Sequence, residues 1–166
     1  MIERIVRAIR LDWTVFREIA QDPKAMKEAA IIVAIVTFLS AVGIGLAKQS
    51  FGSFIVDWLV AILVGWIGWA VITYLVGTSI FKGGTNIPEM MRVLGYANAP
   101  YLLGLLSFIP CVGWLFPIAG GILALVAGVL AVREAMDLDT GNAIITVVIS
   151  WVISIAIRGA FWVFVG

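Results

Sequence analysis

The sequence contains no histidine and one cysteine, Cys111. The first absence excludes His-based catalytic triads, most zinc sites and His-ligated haem. The second excludes any disulfide within the chain. Charge is also scarce. Only 13% of residues are Asp, Glu, Lys or Arg, where a soluble domain carries roughly a quarter. A chain so poor in charge cannot cover a water-facing surface. No phosphate-binding loop, dinucleotide turn, cysteine pair or nucleophile with an obvious base is visible, so neither catalysis nor a cofactor or metal is expected. The only close carboxylate pair, Asp137 and Asp139, sits on a short polar loop and reads as helix caps and solvated charge. No basic aromatic patch points to nucleic acid, and the first residues lack the apolar segment of a secretory signal.

What the chain has instead is apolar length. Hydrophobic residues make up 63% of it and fall in runs of about 20, enough to cross a bilayer core as helix. Alternating short segments, as in a barrel, are missing. The expected fold class is therefore all-α: a polytopic membrane protein with a five-helix transmembrane bundle. The spans are expected over about 29–47, 54–81, 89–108, 112–132 and 142–165, within one domain of residues 23–166.

Residues 1–22 form a separate unit. Ile2, Ile5, Val6, Ile9, Trp13, Phe16 and Ile19 recur on one side of a helix, with Arg4, Arg7, Arg10 and Arg17 on or near the other. That pattern predicts one amphipathic helix in the membrane interface, with Arg4, Arg7, Arg10, Trp13 and Arg17 touching the membrane surface. Packing on the cytoplasmic ends of the spans is compatible with it. Asp22-Pro23 breaks the chain before the first span.

The stretch from Pro88 to Val132 organises the remainder. Asn86 and Glu89 have the spacing of a capping box, with Pro88 just inside the helix start. The third span carries Tyr96, Asn98 and Pro100. Pro100 lacks an N–H and displaces the carbonyl of Tyr96, which then needs a donor where there is no water. The patch is a hinge or polar cavity, or else a kink fixed by neighbouring helices. In the fourth span Gly120, Ala124 and Gly128 place small residues on one face for close helix packing, within the bundle or between copies. The turn between these spans, near residues 108–117, is either a full crossing or a re-entrant hairpin.

Six of the eleven Lys and Arg residues precede the first span, which predicts a cytoplasmic N-terminus and, with five spans, an external C-terminus. Asp57 and Arg158 then lie toward the outer end of their spans. They are expected to pair as an inter-helix clamp or an ion site, or to reach water separately. Arg92 and Glu89 are expected to snorkel into headgroups or to neighbour each other.

Several of these features together resemble the Yip domain family, the Ypt/Rab-interacting integral membrane proteins. They are the short helix ending in Phe16-Arg17-Glu18-Ile19-Ala20-Gln21-Asp22-Pro23, Gly95-Tyr96 followed by Pro100, and a small-residue-rich fourth span leading to a polar loop and a last apolar span. The compact chain looks like a prokaryotic-type member, in the cytoplasmic membrane. The resemblance implies five spans, no enzymatic activity, and a scaffold or adaptor role in membrane organisation or trafficking. It also implies contacts with the lipid bilayer, with other membrane proteins or with further copies of itself. The long cytosolic region and Asp-Leu-Tyr-Gly-Pro-like motif of eukaryotic members are missing, which counts against Rab-type GTPase binding. Two other readings follow from the residues: a small transporter or channel with a polar site around Tyr96 and Asn98, or an accessory subunit of a larger membrane complex.

Overall fold

The computed structural model describes residues 1–48, 51–108 and 113–165, with side chains over 1–41, 54–56, 58–106 and 113–157. All regular structure among them is helical. In chain order the elements are α1 (Ile2–Ile9), α2 (Trp13–Gln21), α3 (Ala25–Lys48), α4 (Phe51–Val60), a π-helical segment (Ala61–Gly68), α5 (Trp69–Phe81), α6 (Ile87–Ala97), a 3₁₀ helix (Ala99–Phe108), α7 (Leu115–Met136) and α8 (Thr140–Val165). Among the described residues, three stretches are long and apolar enough to cross a membrane: Phe54–Phe81, Leu115–Met136 and Thr140–Ile157. The Asp57–Arg158 pair and the turn holding Cys111 involve residues or side chains outside the described set.

The single helix expected over residues 1–22 is two helices folded back on each other. Leu11 takes a left-handed φ of 60°. Leu11 N donates to Ala8 O and Asp12 N to Arg7 O, the two bonds that close a Schellman turn. Asp12 then caps α2 by accepting from Thr14 N at 3.0 Å. Apolar periodicity runs unbroken through this turn because both helices face one core. A left-handed Leu costs about 1–2 kcal/mol and carries no signal in a hydrophobicity pattern. Val15, Phe16, Ile19 and Ala20 of α2 are all buried.

The third expected span is likewise not one regular helix. Asn86 and Glu89 complete a capping box, and α6 runs from there to Ala97. Beyond it the backbone tightens. Asn98 N donates to Gly95 O instead of Leu94 O, and Tyr101 N donates to Asn98 O. Pro100 has no N–H for a four-residue bond, so the chain continues as 3₁₀ helix.

Small residues line the close helix contacts, alongside buried large ones such as Ile32, Met90, Leu94, Tyr96 and Met136. The core at the bundle is rich in Ala, Gly and Val, whereas Ile118, Ile122, Leu125, Val148, Trp151 and Ile155 stand exposed. Lipid gives large apolar side chains no reason to turn inward, so helices pack through small ones. Gly120 meets the backbone of Pro100, Gly128 meets the Trp69 ring, and Ala124 is buried between them. At Gly95 α6 lies close against α3, where an added Cβ would lie 2.7 Å from Ala29 Cβ. At Gly121 it would come no nearer than 3.9 Å to the Tyr101 ring.

Those two distances predict opposite signs. Gly121→Ala should stabilise by about 0.5–1 kcal/mol through helix propensity. Gly95→Ala should destabilise by about 1–3 kcal/mol through overpacking. Thermal unfolding in detergent reads both; a stabilised Gly95→Ala would refute the close α3–α6 contact.

Candidate functional site

Two polar assemblies stand out against the apolar bundle. The first joins the α1–α2 hairpin to one end of it. Arg92 is 7% exposed despite its charge. From α6 its Nε donates to Ile19 O at 3.2 Å and its Nη2 to Ala20 O. Those carbonyls belong to the last turn of α2, where a cation also suits the negative end of the helix dipole. The expectation that Arg92 snorkels outward or pairs with Glu89 is therefore corrected. Glu89 closes its capping box and accepts from Thr85 Oγ1, leaving the guanidinium to turn inward to the unsatisfied end of α2.

One turn along α6, the Tyr96 hydroxyl donates to the Glu28 carboxylate at the start of α3. Arg4 Nη1 lies 3.6 Å from the same carboxylate, and 2.8 Å from Asp22 Oδ2, while its Nε donates to Glu18 at 2.8 Å. Arg7 donates to Asp12 at 2.8 Å, Glu18 at 2.9 Å and Thr14 at 2.9 Å. Hydrogen bonding by Arg4, then by Arg7, holds the Glu18 carboxyl below its ordinary range. Arg4, with the backbone N–H of Lys24, does the same for Asp22.

On the other side of α2, Arg17 Nε sits 3.0 Å from Glu134 Oε2. Arg133 Nε and Nη2 grip Glu134 Oε1 at 3.0 and 2.8 Å. Glu134 is buried in the last turn of α7, and the two guanidiniums offset its charge. Arg133 also lies 5.8 Å from the centre of the half-exposed Trp13 ring. A polar hollow of about 380 Å³ opens beside this cluster, lined by Arg17, Gln21, Gly84, Glu89, Glu134 and Asp137 among others.

Of the residues assigned to the membrane surface, Arg4, Arg7 and Arg17 thus engage acids of the same chain, and Arg10 is exposed. Among the described residues no group of His, Cys, Asp and Glu could hold a metal.

The second assembly is the break at Tyr96, Asn98 and Pro100. These three residues do not converge. Tyr96 turns to Glu28, whereas Asn98 borders a cleft of about 400 Å³ between α5, α6, α7 and α8. Because the backbone tightens here, Leu94 O loses its usual donor, and Asn98 Nδ2 replaces it at 2.8 Å. Backbone N–H groups at the helix end reach Gly95 O and Tyr96 O, so the carbonyl freed by Pro100 is satisfied. Trp66 Nε1 donates to Met91 O at 3.0 Å and fixes the π-helical segment to α6.

Sequence reasoning missed Glu28, Glu134 and the inward turn of Arg92. Arg92 and Tyr96 are four apart and share a helix face, which was a usable signal. Their partners lie 68 or more residues away and leave no periodic trace.

Among known proteins, the Yip1 domain family profile matches residues 14–161. No curated protein matches the chain. No solved structure matches it either.

Arg92→Met should leave the Ala20 carbonyl without its donor, at about 1–3 kcal/mol, and Ile19 O with only the Asp22 N–H. Faster amide hydrogen exchange in Trp13–Gln21, with α7 and α8 unchanged, is the expected readout; unchanged exchange in α2 would contradict the cap. The lowered carboxyls of Glu18 and Asp22 stabilise the hairpin only while ionised. Their contribution is present above the ordinary carboxylate pKa of about 4 and is lost as pH falls through the depressed folded values. Protection factors in Ile2–Gln21, corrected for the intrinsic exchange rate at each pH, should therefore stay high at pH 7 and fall only in acid below about pH 4.

Proposed function

The chain belongs to the Yip1 domain family, and on that premise we propose that it is a non-enzymatic membrane scaffold or adaptor of the Yip type. It works through helix–helix association and through contacts at the membrane surface, in membrane organisation or trafficking. The observation that carries this reading is the α1–α2 hairpin, tied to the bundle by Arg92, Arg4–Glu28 and Arg17–Glu134. A hairpin held at that many points is a rigid platform, and a platform suits binding better than turnover.

The proposed topology has five crossings: α3, the Phe54–Phe81 run, the broken α6–3₁₀ segment, α7 and α8. The N-terminus is cytoplasmic, the C-terminus external, and the membrane a prokaryotic-type cytoplasmic membrane. The length of α3, at 24 residues, supports a crossing there. The concentration of Lys and Arg before it supports the orientation. Partners are the bilayer and other membrane proteins or copies of this chain. Arg10 and Trp13, both exposed, are the membrane-surface residues that remain without a carboxylate partner among the described residues.

The small-transporter alternative is favoured by one observation, the cleft beside Asn98 at a break in a helix. Purified protein in sealed vesicles separates the two readings. A scaffold gives no solute flux above empty vesicles, and co-purifies in native lipid with defined membrane proteins lost on deleting residues 1–21. Flux abolished by Asn98→Ala would overturn the scaffold reading.

A further inference from the structure

Beyond any scaffold role, the cleft beside Asn98 has the features of a ligand site. It lies near the middle of Phe54–Phe81, Leu115–Met136 and Thr140–Val165, at the depth where the hydrocarbon is driest. Its volume of about 400 Å³ lies within the range of small-molecule pockets, roughly 300–1,000 Å³. Two departures from regular helix border it: the π-helical segment that contains Gly65, and the tightened backbone at Asn98. Tyr101, Leu125, Trp151 and Ile155 on its rim are exposed, so the opening faces lipid.

The lining leaves polar atoms of both kinds: Trp69 Nε1 is a buried donor without a partner among the described residues, while Ser154 and Asn98 offer lone pairs. Hydroxyls elsewhere in the spans bond back to carbonyls of their own helix, as Thr37, Thr73, Thr146 and Ser150 do. Ser154 gives its proton to Ser150 O at 2.7 Å, which leaves its oxygen only lone pairs. Asn98 Nδ2 is held by Leu94 O, which fixes the amide orientation. Asn98 Oδ1 accepts from no donor among the described residues. The carbonyl end of α6 adds negative potential at the same place. A hydroxyl suits such a lining, because it can donate to Asn98 Oδ1 and also accept from an N–H such as that of Trp69. An ionised donor is costly at this depth, so a neutral hydroxyl fits better. Trp69, Tyr101 and Trp151 line the walls and suit a flat ring.

We infer that the cleft binds a bilayer-dissolved phenol: an aromatic ring with a hydrocarbon tail, whose hydroxyl donates to Asn98 Oδ1. The test uses the full chain in lipid nanodiscs with 4-dodecylphenol and its methyl ether 4-dodecylanisole, read by native mass spectrometry. The phenol should bind saturably at one per chain. The ether, which has the same body and no donor, should bind about 2–10-fold more weakly, the equivalent of one net hydrogen bond. Gly121→Leu adds a side chain to the cleft lining, where its Cβ would meet the Tyr101 ring at an ordinary 3.9 Å, and should abolish phenol binding without loss of fold. Equal binding of phenol and ether, no binding of either, or binding that survives Gly121→Leu would each overturn the proposal.

Discussion

Hydrocarbon supplies no hydrogen-bond partner, and the rest of this structure follows from that constraint. Each helix end, kink and buried side chain has to find its donor or acceptor inside the chain. The clearest case is the break after α6. Tightening the backbone at Asn98 strips Leu94 O of its donor, and the side chain of Asn98 restores one. The same demand places Arg92 at the end of α2, where it is the donor to Ala20 O and a second donor to Ile19 O. It also keeps the hydroxyls of the spans bonded to their own helices, so they exert little pull on neighbours.

With backbone demands met locally, packing is left to shape. Small residues let the helices approach at Gly95–Ala29 and Gly120–Pro100, and many large side chains turn to the lipid. Charge is handled differently. It gathers at one end, where Arg4, Arg7, Glu18 and Asp22 interlock within the hairpin, and Arg17, Arg133 and Glu134 join α2 to α7. Gly84 N donates to Met136 O, which brings the loop before α6 to the same end. The hairpin, the polar loops and the ends of α6 and α7 thus form one charged layer over an apolar body.

Much of this was legible in the sequence. Apolar length gave the helical membrane class, and Asn86–Glu89 with Pro88 gave the start of α6. The combination of Gly95-Tyr96, Pro100 and the fourth span pointed to the family that the Yip1 domain match supports over residues 14–161. Other features were not legible, for stated reasons. The turn at Leu11 is made by backbone geometry on a residue whose type does not announce it. The partners of Arg92, Tyr96 and Arg17 are distant in sequence; charge pattern alone turned the two arginines toward headgroups, and Tyr96 was read with the break at Pro100. Asn98 was singled out as a possible donor to the carbonyl of Tyr96, yet the carbonyl it serves is that of Leu94, because the helix tightens two residues earlier than a Pro100 kink alone would require.

The decisive measurement is side-specific labelling of single cysteines introduced in a Cys111→Ser background, in oriented membranes. Cysteines at Lys24, Gly84 and Asp137 should react from one compartment, because one charged layer holds all three, and a cysteine at Lys48 should react only from the opposite one. Reaction at position 137 from the side that labels position 48 would contradict a single charged end and the helix arrangement built upon it.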